Sequence, residues 1–198
     1  MAAFTERPRI GGGPGTKAMN GIDGLVTTWR PQGRHVVLSG RSAGAPEYCL
    51  EREQLLPLRL KEAWDFFSTP MNLARITPPD MRFEILSTEV DRPIFSGMRI
   101  AYNVRPLLGI KVRWLTEIRD VEPQRRFTDV QLNGPFAKWE HEHRFVGTPH
   151  GVLVQDRIVY RLPFGILGRF AHRAFVAGRV RSIFDHREAV LKTIFATR

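Results

Sequence analysis

Hydrophobic and polar positions change rhythm along the chain. From Tyr48 to Leu56 they alternate loosely, which predicts a strand closed by Pro57. Leu60, Ala63, Trp64 and Phe67 follow at i, i+3, i+4 and i+7, one face of a short amphipathic helix. Thr69-Pro70 offers an N-cap and a proline at the first helical position of a second short helix through Leu73 and Ile76. Thr77-Pro78-Pro79 ends it, because a residue preceding proline avoids helical angles.

Six strand-like stretches come next, near 81–90, 97–105, 110–121, 125–132, 136–146 and 152–161. The breaks between them are too short for parallel crossovers, so neighbouring strands must run antiparallel. The clearest alternation sets Ile110, Val112, Trp114, Thr116 and Ile118 against Lys111, Arg113, Glu117 and Arg119, so one sheet face is buried and one is wet. Phe164 to about Phe195 is helical, with an apolar stripe through Leu167, Phe170, Ala174, Val180, Ile183, Phe184 and Leu191 and a possible bend at Gly178. The expected architecture is α+β: a curved seven-stranded antiparallel sheet around one long C-terminal helix, with two short helices after the first strand. A sheet bent round a single helix need not close tightly, so a cavity between them is expected.

Alternation also lists the side chains on the covered face. They include Tyr102; Trp114 and Thr116; Trp139, His141 and His143; and Asp156 and Tyr160. In the 125–132 strand, Phe127, Asp129 and Gln131 compete with Val130 and Leu132, and the Phe127 side is favoured because it leaves Arg126 and Thr128 in water. Unpaired burial of such polar groups costs about 2–7 kcal/mol each. They must bond one another, bond water, or meet a ligand. Two readings stay open: a satisfied structural network, and polar groups aimed at a small molecule. His141-x-His143 with Asp156 as a third donor is a weak metal signal, and no metal or cofactor is expected.

Composition narrows the rest. Residues 1–46 hold nine glycines and four prolines, which predicts a disordered Gly/Pro/Arg-rich tail ahead of one domain over 47–198. The 30 basic and 20 acidic residues give a net charge of +10 without any run of five like charges, so nucleic acid is not an expected partner. Seven basic residues against two acids from Arg169 onward leave peripheral contact with an anionic membrane open. The single cysteine, Cys49, excludes an internal disulfide and reads as an inert thiol. No apolar run reaches the ~18 residues of a membrane span, and a cytoplasmic protein is expected. Asp185-His186 is expected to face solvent.

Several stretches in this order resemble one family. They are Phe66-Phe67-Ser68 to Pro70, Asn72-Leu73 to Pro79, Phe127 to Asp129 with Gln131, and Gly134-Pro135-Phe136. They continue with Trp139 to Phe145, Asp156-Arg157 to Tyr160, Leu162-Pro163-Phe164-Gly165 with Leu167-Gly168, and Ile183-Phe184-Asp185 to Arg187. The chain resembles the START-like, helix-grip proteins of the SRPBCC superfamily, in its bacterial ligand-binding branch related to polyketide cyclases. The resemblance implies a deep hydrophobic cavity between sheet and C-terminal helix. The expected function is binding of a hydrophobic or amphipathic small molecule there. Tyr102, Trp114, Trp139, Ile183 and Phe184 would form walls, and Asp129, Gln131, His141, His143, Asp156 and Tyr160 would orient its polar group. The alternative is a cyclase, aromatase or dehydratase in which His141 or His143 is a general acid/base oriented by Asp156.

Overall fold

The computed structural model describes residues 35–36, 46–88, 90–106 and 109–196. Of the segment expected to be a tail, only His35–Val36 and Pro46 are among them. The strands are β1 His35–Val36, β2 Glu47–Leu56, β3 Glu84–Ile85, β4 Arg99–Val104, β5 Val112–Glu122, β6 Arg126–Asn133, β7 Lys138–Thr148 and β8 Gly151–Arg161. The helices are α1 Leu60–Phe67, α2 Met71–Arg75, α3 Gly165–Ala171 and α4 Ala177–Phe195. The strands form one antiparallel sheet in the order β1-β2-β8-β7-β6-β5-β4-β3. The seven expected strands are present, and the two-residue β1 adds an eighth on the edge of β2.

The amphipathic face placed at Leu60, Ala63, Trp64 and Phe67 is α1, with Ala63 and Trp64 buried. Glu62 accepts the Arg59 backbone N–H at 3.0 Å and closes the first turn. The expected Thr69 cap is not formed. Its hydroxyl donates back to the Asp65 carbonyl at 2.8 Å, and α2 starts one residue late at Met71.

Two other expectations change. The strand near 81–90 shrinks to Glu84–Ile85, behind a 3₁₀ turn at Pro79–Met81. Beyond it the Ser87 hydroxyl accepts the Ala101 N–H at 2.8 Å, so a side chain replaces the next ladder bond. Gly178 lies inside α4, and the irregularity of the long helix lies ahead of it, as a π turn at His172–Val176 between α3 and α4. Gly168, His172, Val176, Val180 and Phe184 are all buried at steps of four. Steps of four drift about 40° each round an ideal helix. The wider π turn absorbs that drift and keeps the stripe on the sheet.

The space under the helix is filled at one end only. There Trp64 meets Phe127 and Phe145 edge-on, at 6.0 and 5.7 Å, and Leu191 and Phe195 of α4 complete a dry core. At the other end Val176, Val180 and Phe184 look across at Tyr160, Trp139 and Trp114, and among the described residues no helix plugs the gap.

Candidate functional site

The gap is a cavity of about 440 Å³. Aromatic rings make much of its wall. Tyr102 and Trp114 come from β4 and β5, Trp139 from β7, Phe136 from the β6–β7 turn and Phe83 from the segment before β3. Phe184, Ile183, Val180 and Val176 close it from the helix side, and Leu73, Ile76 and Met81 also line it. Trp114 and Trp139 meet at right angles with ring centroids 5.4 Å apart, which fixes both planes. The Tyr102 hydroxyl is spent on Thr116 at 3.1 Å, and burial holds it well above the usual phenol range.

Asp129 and His141 stand at one end of this apolar space, in front of a buried network. Pairing of β6 with β7 sets Asp129 beside His141, and pairing of β7 with β8 sets His143 beside Asp156. One carboxylate oxygen, Asp156 Oδ1, lies 2.9 Å from His141 Nε2, 2.9 Å from His143 Nδ1 and 3.6 Å from an Arg187 terminal nitrogen. The other nitrogen of His143 reaches Asp129 at 3.2 Å.

These contacts assign the charges. Burial resists ionisation of Asp156, but the Arg187 guanidinium and both imidazoles outweigh it and hold its carboxyl well below the usual range. Asp129 is also lowered, its burial overcome by His143. His143 loses to burial and gains more from its two carboxylate bonds, so its pKa rises. His141 goes the other way: burial, then the neighbouring His143 charge, push it down to about 4. With a carboxylate facing each of its ring nitrogens, His143 fits the network as an imidazolium, and together with the Arg187 guanidinium it balances the two carboxylates. Neutral His141 donates through Nε2 to Asp156 and keeps Nδ1 as an acceptor.

The expected site residues separate into two sets. Tyr102, Trp114, Asp129, Trp139, His141, Ile183 and Phe184 line the cavity, while Gln131, His143, Asp156 and Tyr160 do not. Gln131 pairs in register with Thr116 and follows the alternation of Phe127 and Asp129, and the bulge comes only after it, at Leu132. The Gln131 amide turns back on the β6–β7 turn and donates to the Phe136 carbonyl at 2.7 Å. Gly134 leaves room for it, since a Cβ there would lie 2.5 Å from the Gln131 oxygen. Tyr160 bonds buried His172 at 2.9 Å, and Tyr48 stacks on the same imidazole. His143 and Asp156 sit behind His141 and hold it.

Sequence reasoning does not single out Arg187 as a site residue. Arg187 is buried, sits 5.2 Å from the Phe67 ring and lines the cavity beside Asp129 and His141. Its spacing after Val180 and Phe184 was the available signal. Asp185 is exposed, yet it pairs with Arg52 of β2 rather than standing free in solvent. Buried Cys49 has its pKa pushed up to about 11 by loss of solvent, which keeps the thiol protonated. Asp129, His141 and His143 present ligand atoms within 4.8 Å of one another, a spacing that a divalent cation could bridge. With the charges already balanced by Arg187, such an ion would have to displace the His143 proton.

No protein-family model matches the chain, and no curated protein matches it in sequence. Solved structures do match in shape. A START superfamily protein from Mycobacterium smegmatis is 14% identical, with a TM-score of 0.55 over 74% of this chain and 98% of that one. Protein Ms6760 from the same organism gives a TM-score of 0.55 at 15% identity, covering 82% and 98% of the two chains. Ginseng major latex-like protein 151 from Panax ginseng reaches 0.55 at 13% identity over 75% and 97%. Identities this low speak for shape alone. The likeness is one of fold: a curved antiparallel sheet gripping one C-terminal helix, the START-like helix-grip arrangement.

Proposed function

We propose that the chain binds one hydrophobic small molecule in the cavity between the sheet and the N-terminal half of its long helix. The carrying observation is the aromatic-walled space of about 440 Å³ with a few polar groups gathered at one end. The neutral network favours a ligand without formal charge at that end. A hydroxyl or N–H on the ligand would meet His141 Nδ1. The wall of Tyr102, Trp114, Trp139 and Phe184 favours flat or aromatic ligands, by stacking and edge contacts. One buried, free cysteine accords with a reducing cytoplasm.

The acid/base alternative is less well supported by the same geometry. A general acid or base works best with a pKa near the working pH. His141, lowered to about 4, is a poor proton donor at neutral pH. His143 is tied at both nitrogens and lies behind the cavity wall.

N-phenyl-1-naphthylamine, a neutral aromatic probe with one N–H, tests the reading through its own fluorescence and quenching of Trp114 and Trp139. Saturable binding is expected, weakened at least ten-fold in Ile183→Trp, which fills the cavity, while the thermal transition stays cooperative. Equal affinity in the two proteins, or no saturable binding by the native chain, contradicts the proposal.

A further inference from the structure

The surface around α3 is out of place on a protein in water. Phe164, Ile166, Leu167 and Phe170 are 81, 70, 73 and 70% exposed, within seven consecutive residues, and Phe175 is exposed one turn further on. Gly168 is the one buried residue of α3. Round α3, Ile166, Leu167 and Phe170 fall within about 100° of one another and form one apolar face, with Arg169 beside it. No acidic residue occurs between Asp156 and Asp185. Arg169 and Arg173 are exposed beside these side chains and pair with no carboxylate among the described residues. Two copies meeting through this surface would bring those arginines together.

We propose that α3 and the following π turn dock on an anionic lipid bilayer. The apolar side chains enter the headgroup–acyl boundary, and Arg169 and Arg173 lie against lipid phosphates. Phe164, Leu167 and Phe175 also line the cavity, so docking sets its mouth on the membrane. The proposal rests on the surface and holds whatever fills the cavity.

The test is co-sedimentation of the full chain with vesicles of phosphatidylcholine alone and of phosphatidylcholine with phosphatidylglycerol, at low and high salt. Ile166 and Phe170 lie outside the cavity lining, so the I166D/F170D pair probes the surface without altering the pocket. Binding to the anionic vesicles is expected, at least ten-fold stronger than to the neutral ones and reduced by salt. Arg169→Gln and Arg173→Gln should each weaken it about five-fold. I166D/F170D should abolish it, with the naphthylamine affinity and circular dichroism unchanged. A chain that stays in the supernatant, or pellets equally with both vesicles, overturns the proposal. So does I166D/F170D pelleting like the parent. A dimer seen by light scattering that I166D/F170D disperses, without vesicle binding, overturns it in favour of self-association.

Discussion

Arg187 is the residue on which the buried network turns. Two ionised carboxylates in an interior are tolerable only while cations face them. Replacing Arg187 by Met keeps the packing against Phe67 and Phe184 but strips Asp156 of its guanidinium. Urea unfolding should show a loss of about 3–5 kcal/mol, partly recovered by adding Asp156→Asn. A loss in the double variant as large as in Arg187→Met alone would break the argument. His141 supplies the pH signature. Its folded pKa is about 4 against an ordinary 6.5. Below pH 6.5 the unfolded chain takes up a proton there that the folded chain refuses. Stability should therefore fall between pH 6.5 and about 4, by about 3 kcal/mol at most. His143, raised, gives stability that is complete below its unfolded value and is lost as pH rises through its folded one. Thermal melts across pH 4–7 should steepen for the parent chain and flatten for His141→Gln.

Elements differ in which glycines they need. A Cβ on Gly168 would lie 2.3 Å from the Pro163 carbonyl oxygen, so α3 seats on the preceding loop only with glycine there. Gly178, within α4, has open space around its Cβ position and no special backbone angle. Gly168→Ala should cost about 1–3 kcal/mol by overpacking. Gly178→Ala should stabilise by about 1 kcal/mol through helix propensity. Denaturant midpoints of the two variants decide this, and a shift in the same direction for both would refute it. The sequence placed the helix correctly but put its irregularity at Gly178. A glycine tolerates a bend without causing one. The π turn answers to burial at steps of four, set by the sheet opposite.

Across the whole molecule, stability and binding sit at opposite ends of one helix. α1 drives Trp64 into the sheet at one end and leaves the other unplugged. Trp64→Ala should cost about 3–5 kcal/mol while leaving naphthylamine affinity within two- to three-fold in the folded protein. Ile183→Trp should do the reverse. Chemical denaturation and probe titration on the same two variants separate the ends, and loss of binding in both would merge them.

Local pattern determined the antiparallel sheet, through strand alternation and short connections, the long helix, through its apolar stripe, and the shared inward face of Asp129, His141, His143 and Asp156, because a strand's period of two, a turn's length and a helix's stripe are local properties. The Phe127 side of β6 could be chosen on the same ground, since it leaves Arg126 and Thr128 off the core. Three-dimensional packing decided the rest. Gln131 points inward with the others, yet its amide folds into a turn, because Gly134 leaves space that spacing does not reveal. Arg187 reads as a surface charge until the carboxylates of β6 and β8 lie opposite it. His141 and His143 share one face and differ in protonation, since their charge states depend on partners as far along the chain as Arg187. Periodicity records which way a side chain points; what it meets there is set by strands and helices far away along the chain.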